Sequence, residues 1–265
     1  MLAGHVGGLG SFAPLLLREL RGALVNRYFQ VFSVLALGGG IAAVALSEAP
    51  EAAAFFLLQI AVYFVSLFAL LVGVSSARAE NEEWPILFAQ PVPRVAFVLG
   101  KFVALWSIFS CVLALLFIPP LFGEGSLAAL ARLYLNTLGL AAIFGSLGLC
   151  AGIIGHDRVQ ALVLGVTAWL FLLFGVDLLA LFAAQWAPLQ RAPDLWVALL
   201  MANPLDAFRI QALFAMEQIP AEAANKTPLA AWWLTHANSW FAILSALWSA
   251  ALLLLTTYRL KRVEI

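Results

Sequence analysis

The most polar stretch of the chain, ARAENEEWPILFAQPVPRVAFVLGK, contains three acidic residues close together. Glu80, Glu82 and Glu83 come just before Trp84, and Phe88 lies one helical turn beyond that tryptophan. Carboxylates beside exposed aromatic side chains favour contact with a protein partner over contact with solvent alone. The chemistry predicted for this stretch is therefore docking.

Residue types that ligate metals or act as nucleophiles are few and scattered. The chain has 3 Met, 2 Cys and 3 His, and Cys111 and Cys150 are expected to be packing residues. A path for Cu(I) needs grouped thioethers or thiolates, and other ions need grouped imidazoles or carboxylates. The motifs H-E-x-x-H, G-x-S-x-G and G-x-x-x-x-G-K-[ST] do not occur in the sequence. We therefore expect no metal site, no catalytic residue, no bound nucleotide cofactor and no nucleic-acid partner for this chain.

Asp177 is the one acid inside a long apolar run. An ionisable residue within a membrane is a candidate functional site, so contact with a cargo or a proton is one interpretation. The residue lies about 16 positions into its predicted helix, which at a rise of 1.5 Å per residue places it near the outer surface, in reach of water. Both interpretations stay open.

The composition explains why polar groups are so scarce. Hydrophobic residues make up 64% of the chain and charged residues 11%, with a mean hydropathy of +1.01, as in integral membrane proteins. Apolar runs of about 20 residues without polar alternation favour helices over a barrel. The sequence predicts an all-α fold in one membrane domain, residues 1–265, with six transmembrane helices at 29–47, 54–75, 97–119, 132–154, 161–183 and 239–258.

Basic residues set the predicted orientation. Ten of the 14 Lys and Arg fall on one side of these spans, and short basic loops stay in the cytoplasm. Both termini and residues 79–93 are thus placed in the cytoplasm, and the long connection 184–238 faces outward. Residues 12–27 mix charges with leucines, which predicts an elbow helix on the membrane surface before the first span. The first ten residues do not resemble a cleavable signal.

Residues 79–93, which we call the 79–93 segment, are predicted to form a short cytoplasmic helix between spans 2 and 3. Acids suit its start because of the helix dipole, and Pro91 and Pro93 end it because proline lacks an amide proton. Arg94 would hold the segment at the lipid headgroups. The predicted docking set is Glu80, Glu82, Glu83, Trp84, Phe88 and Arg94.

The outward connection 184–238 is too hydrophobic for a disordered linker, and its first part, 185–220, is interrupted by four prolines. Residues 206–219 have helical spacing of apolar side chains after NPLD, which predicts an amphipathic helix at the membrane interface. This helix is where a partner outside the membrane would dock. The predicted contact residues are Asp206, Phe208, Arg209 and Phe214.

Span 4 carries small residues on one face. Ala141, Gly145, Gly148 and Gly152 recur at helical spacing, and small residues let helices approach closely in lipid. The stripe fits a dimer interface and packing within one protomer equally well.

Three patterns together carry a resemblance to a known family: Glu80, then ILFAQPVPR at 86–94, then VLGK at 98–101. On these, with the six spans, the elbow and the long last connection, the chain resembles the permease subunits of type-2 ATP-binding-cassette (ABC-2) exporters. Within the family it is most similar to permeases that serve nitrous-oxide reductase maturation, through VNRYF, AQPVPR and NPLDAFRIQALF. Many relatives have a Gly-Thr pair where this chain has Glu82 and Glu83.

The resemblance implies a non-catalytic half-transporter in the bacterial cytoplasmic (inner) membrane. A homodimer of the chain would bind two copies of a separate cytoplasmic ABC ATPase, which holds the ATP and Mg²⁺. A periplasmic, NosD-like protein would be the outer partner, and the process would be copper-site assembly in nitrous-oxide reductase. The family analogy also implies spans 1 and 5 at the dimer interface.

Two alternatives remain at the level of sequence. One is an ABC-2 exporter of a lipid or another hydrophobic compound, since Leu, Ala and Phe suit contact with lipid and packing alike. The other is a membrane carrier or scaffold that works without ATP. The near absence of polar groups within the spans argues for energy supplied from outside the chain.

Overall fold

The computed structural model describes residues 17, 21–22, 24–47, 49–79, 94–123, 126–185, 193–215 and 228–262. Of these residues 93% are helical, and none of them lies in a strand. The all-α fold predicted from the sequence is confirmed. Most of the predicted elbow helix (12–27) and the 79–93 segment lie outside the described residues.

Six helices are long and apolar enough to cross a membrane, as predicted. The six spans are Arg27–Ala45, Glu51–Arg78, Arg94–Phe122, Leu127–Ile154, Arg158–Phe182 and Thr235–Lys261. The last belongs to a longer helix, Pro228–Arg262. Two shorter helices, Pro193–Ala202 and Pro204–Ala215, lie in the connection between spans 5 and 6.

Polar caps fix where several spans begin. The Asn26 side chain accepts from the Tyr28 amide at 3.0 Å before span 1, and Asp157 accepts from the Gln160 amide at 2.7 Å before span 5. Ser126 caps span 4 in the same way. Each cap satisfies an amide that has no partner inside its own helix, so the spans start at polar residues rather than fraying.

Contacts between helix ends show which ends share a face of the bundle. Arg94 donates to the Leu260 carbonyl at 2.8 Å, and Arg78 donates to the His156 carbonyl at 3.3 Å, so these ends lie together. We call this side, which carries the 2–3 and 4–5 connections, the terminal face. The opposite side, with the 1–2, 3–4 and 5–6 connections, is the distal face.

Span 4 is the centre of the bundle. Of its most hydrophobic 18 residues 78% are buried, whereas the figure is 28% for spans 1 and 5. Spans 1 and 5 therefore have the smallest share of buried residues among the six spans, and span 4 has the largest. The family expectation that spans 1 and 5 form a dimer interface is compatible with this exposure and stays a prediction.

The small-residue stripe of span 4 packs against span 2 of the same protomer. A Cβ on Gly148 would overlap the Leu70 carbonyl oxygen, and a Cβ on Gly73 would lie 2.5 Å from the Gly145 carbonyl oxygen. The two backbones thus touch with no side chain between them. Of the two uses predicted for the stripe, packing within one protomer is the one observed for Gly148.

Gly148→Ala and Gly145→Ala form a matched pair that tests this contact. We expect Gly148→Ala to destabilise the protein in detergent by about 1–3 kcal/mol, because the new methyl group meets backbone that cannot move aside. A Cβ on Gly145 meets nothing within 4 Å, so Gly145→Ala should be near neutral or slightly stabilising. Thermal unfolding of the two variants measures the difference; equal melting temperatures would contradict the packing described.

Candidate functional site

Asn203 connects the two short helices of the 5–6 connection, which we call the helix pair (Pro193–Ala202 and Pro204–Ala215). Its amide donates to the Leu199 carbonyl at 3.1 Å and so ends the first helix. Its side-chain oxygen accepts from the Leu205 amide at 3.3 Å, and Pro204 supplies the first turn of the second helix. Asn followed by Pro is a strong local signal for a helix start. The chain therefore turns between the two helices on a single residue.

Two spans that pack against the helix pair contain π-helical turns. These are Ala61–Val65 in span 2 and Phe171–Gly175 in span 5. The second helix of the pair contacts both turns. A single π-helical turn inside an α-helix is rare and is often found at functional positions.

A hydrogen-bond chain joins spans 2 and 5 beside these turns. The Ser66 hydroxyl donates to the Val62 carbonyl inside the π turn of span 2 and accepts from the Trp169 indole at 2.8 Å. Ser66 is fully buried and Trp169 is 8% exposed. The Ser66 hydroxyl thus bonds to a carbonyl of the π turn and also joins span 5 to span 2.

The Asn203 amide group fastens the helix pair to the other π turn. Its Nδ2 donates to the Leu172 carbonyl at 2.8 Å and to an Asp206 carboxylate oxygen at 2.5 Å. Asn203 and Asp206 are 3% and 4% exposed. One buried side chain therefore ends a helix, begins the next and ties both to span 5.

Arg209 completes this polar cluster. Its Nη1 lies 3.4 Å from an Asp206 oxygen and 3.7 Å from an Asp177 oxygen. The guanidinium carbon also lies 5.8 Å from the centre of the Tyr63 ring, which belongs to the π turn of span 2. The polar cluster (Tyr63, Asp177, Asn203, Asp206 and Arg209) thus connects the second helix of the pair to both spans that carry π turns.

Asp206 is the member of the polar cluster whose pKa is raised. Burial, and then the nearby negative charge of Asp177, raise the pKa of Asp206 to about 6. The hydrogen bond from Asn203 and the charge of Arg209 oppose this rise but do not cancel it. Asp206 therefore titrates in a pH range where an ordinary aspartate is already ionised.

A second set of contacts holds the helix pair to spans 4 and 6. The Asn238 side-chain oxygen accepts from Asn136 at 2.9 Å and from Gln211 at 3.4 Å. Trp240 and Trp248 donate to the Met201 and Ala202 carbonyls, at 2.9 and 3.1 Å, where the first helix ends. These indoles satisfy carbonyls that a helix end leaves without partners. The helix pair is therefore hydrogen-bonded to spans 5 and 6 and lies against spans 2 and 4.

The residues predicted to contact an outer partner occupy different positions in this arrangement. Asp206 is buried in the polar cluster, and Phe208 is fully buried against Phe241, with ring centres 5.5 Å apart. These two side chains stabilise the helix pair from inside, and neither is exposed in this structure. Arg209 is partly exposed, and Phe214 lies within the second helix. Contact with a partner stays a prediction.

Asp177 is not isolated as the sequence suggested. It lies in span 5 just after the π turn, its side chain is 52% exposed, and it pairs with Arg209. Sequence analysis missed the pairing because Arg209 is 32 residues away along the chain. The sequence also does not reveal that Asn203 and Gln211 are buried, because their partners lie elsewhere along the chain.

On the terminal face, the described part of the predicted docking set is Arg94. Its hydrogen bond to Leu260 ties the start of span 3 to the end of span 6. Lys101, one residue of the VLGK pattern, is 2% exposed, donates to the Ser76 carbonyl at 3.3 Å and lies 5.1 Å from the Phe97 ring centre. Glu80, Glu82, Glu83, Trp84 and Phe88 lie outside the described residues.

Metal-ligand types do not cluster in the part of the chain that the structure describes: no three His, Cys, Asp or Glu residues come close enough together to hold an ion. Cys150 is buried in span 4 and Cys111 is exposed on span 3.

No known family model matches this chain, and no curated protein matches it. The resemblance to ABC-2 permeases therefore depends on the sequence patterns alone.

The raised pKa of Asp206 predicts a specific pH dependence of stability. The folded state holds this proton more tightly than the unfolded chain, whose value is near 3.8, so the stabilising contribution is complete below that pH and is lost as pH rises through about 6. Chemical unfolding in detergent should therefore show a free energy of unfolding that falls from pH 4 to 6. Asp206→Asn should flatten this fall.

The matched control is Asp194→Asn, an exposed carboxylate in the first helix of the same pair, which should keep the wild-type slope. A wild-type slope in Asp206→Asn would contradict the buried position of that carboxylate.

Proposed function

We propose that this chain is the membrane subunit of an ABC-2 type transporter, in which motion of a separate ATPase at the terminal face is transmitted to the helix pair at the distal face. The observation that carries the proposal is the attachment of the helix pair to spans 2 and 5 at their π turns. Span 2 leads directly from one of these turns to Arg78, where the 79–93 segment begins.

Span 2 is suited to transmit displacement along its length. Between its π turn and Arg78 it is a continuous α-helix of 13 residues, Ser66–Arg78. The backbone contact at Gly73 and Gly148 locks this part to span 4, the most buried helix. Two helices packed without intervening side chains move as a unit rather than sliding past each other. A displacement at the terminal end of span 2 would therefore be transmitted to the distal end of the same span.

The attachments at the terminal face converge on both ends of the 79–93 segment. Arg78, at the end of span 2, bonds to the 4–5 connection, and Arg94, at the start of span 3, bonds to the end of span 6. A partner that binds the 79–93 segment would act through these contacts on spans 2, 3 and 6 and on the 4–5 connection. This supports the role proposed for Glu80, Glu82, Glu83, Trp84 and Phe88 as the ATPase contact.

The π turns are the elements proposed to change state. A π turn holds one extra residue within the helical register, and its loss rotates the residues beyond it relative to those before it. Tyr63 and Leu172 lie in the two turns and contact Arg209 and Asn203. A change of register in either turn would therefore shift the helix pair. Such a paired arrangement is a physical two-state element that both faces can bias.

The physiological process we propose is maturation of nitrous-oxide reductase, with copper delivered or handled by a periplasmic NosD-like protein. The chain would sit as a homodimer in the bacterial inner membrane with both termini in the cytoplasm, and ATP and Mg²⁺ would be bound by two ATPase copies. In this proposal the chain performs conformational work on the outer partner. The helix pair, with Arg209 partly exposed, is the proposed docking region.

One observation favours a second candidate, export of a lipid or another hydrophobic compound. An apolar groove of about 250 Å³ lies between spans 1 and 2. Gly38 and Gly39 keep its floor open, and aromatic side chains line its walls. An acyl chain would fit such a surface. The lining residues are Phe32, Leu35, Ala36, Gly38, Gly39, Ala42, Phe56, Ile60 and Phe64.

Affinity purification of the tagged chain from native membranes, with mass spectrometry of stoichiometric companions, tests the proposed function. We expect an ATPase with a Walker motif and a soluble periplasmic protein. Replacing Glu80, Glu82 and Glu83 together by Gln should reduce ATPase recovery by about tenfold or more, because buried charge contacts across an interface would be lost. Recovery of the periplasmic protein should be unchanged.

Glu51→Gln is the control, because Glu51 is an exposed acid at the distal end of span 2. Absence of any ATPase from the wild-type preparation would refute the proposal and favour a carrier or scaffold that works without ATP. An ATPase without a periplasmic companion, together with stoichiometric co-purified lipid, would favour the hydrophobic exporter.

A further inference from the structure

A cavity of about 450 Å³ opens on the terminal face between the end of span 2 and the 4–5 connection. It lies at the opposite end of the bundle from the polar cluster. Its lining residues are Ser75, Arg78, Ala79, His156, Asp157 and Arg158. The volume falls in the range of small-molecule sites, about 300–1,000 Å³.

Arg78 is incompletely satisfied in this cavity. Its Nη1 donates to the His156 carbonyl at 3.3 Å, but Nε and Nη2 are buried and have no hydrogen-bond partner among the described residues. A buried guanidinium N–H without an acceptor is costly, and native proteins seldom leave one so. These two atoms form one side of the guanidinium fork, which matches the oxygen spacing of a phosphate or carboxylate.

The remaining polar groups around the cavity favour an anion. Arg158 adds a second positive charge, and Asp157 is the one acid in the lining. That carboxylate already accepts the Gln160 amide at 2.7 Å, and the Gln160 side chain in turn accepts the His156 amide. The Gln160 amide of span 5 and the His156 amide before the span are thus satisfied within the chain. The positive charge available to an anion in this cavity is that of the two arginines.

We propose that this cavity, the arginine pocket, binds the phosphate of an anionic phospholipid headgroup. The pocket lies where spans 2 and 5 leave the apolar part of the bundle, which is the depth of lipid phosphates. Basic pockets between transmembrane helices are recognition sites for anionic headgroups. A concave site with two arginines in its lining suits a small anionic headgroup better than a flat protein surface. The acyl chains would lie along the exposed apolar side of span 5, at Val159 and Val163.

Native mass spectrometry of the purified full-length chain tests the arginine pocket. Phosphatidylglycerol and phosphatidylcholine with identical acyl chains are titrated separately, and inorganic phosphate is titrated alone. We expect phosphatidylglycerol to bind the wild type more tightly than phosphatidylcholine by about tenfold, as for one charge-assisted contact. Arg158→Gln should remove most of this preference, and Arg158→Lys should restore part of it.

Two controls keep the result interpretable. Arg132→Gln removes an exposed arginine on the distal face and should keep the wild-type preference. Arg78→Gln should also abolish the preference. If Arg78→Gln does not fold, Arg158→Gln still tests the proposal, because Arg158 is exposed.

Three outcomes would overturn the proposal. Equal affinity of the wild type for both lipids would show no headgroup recognition. Inorganic phosphate that binds as tightly as phosphatidylglycerol, with the same sensitivity to Arg158→Gln, would assign the pocket to a free anion. Loss of ATPase recovery in Arg158→Gln with unchanged lipid preference would assign it to a protein contact.

Discussion

The close contact of spans 2 and 4 is the constraint on which the rest of the structure depends. Gly73 and Gly148 bring two helix backbones together, and a side chain at Gly148 would separate them. In a membrane there is no hydrophobic force between helices, so such close approach is what holds a bundle together. Span 4 is the most buried helix, and spans 2 and 4 together connect the two faces. Spans 1 and 5 pack outside this pair with most of their apolar surface exposed.

The distal face depends on a different rule, that buried backbone groups must find partners. A polar side chain donates to a carbonyl of each π turn: Ser66 to Val62 in span 2, and Asn203 to Leu172 in span 5. The same Asn203 ends one helix and begins another. The π turns of spans 2 and 5 therefore help to fix the position of the helix pair. Arg209 of the polar cluster contacts both of these spans, at Asp177 and Tyr63.

The sequence predicts the features that depend on neighbouring residues, and it does not predict those that depend on contacts between residues far apart along the chain. The six spans follow from run length, and the start of the second helix follows from Asn203 and Pro204, because both signals are local. The sequence shows that Gly148 belongs to a face of small residues. It does not show which helix packs against that face, because the spacing of small residues carries no information about the neighbouring helix. The π turns, AVYFV and FLLFG, look like any other apolar run. The burial of Gln211 and Lys101 depends on partners 25 or more residues away, Asn238 and Ser76.

We propose that the helix pair at the distal face responds to events at the terminal face. Hydrogen exchange of backbone amides, with and without ATP, in the complex with the proposed ATPase measures this directly. We expect ATP to change exchange at residues 199–212 together with residues 94–101, because spans 2 and 4 link the two regions. Exchange that changes at residues 94–101 while residues 199–212 stay the same would contradict it.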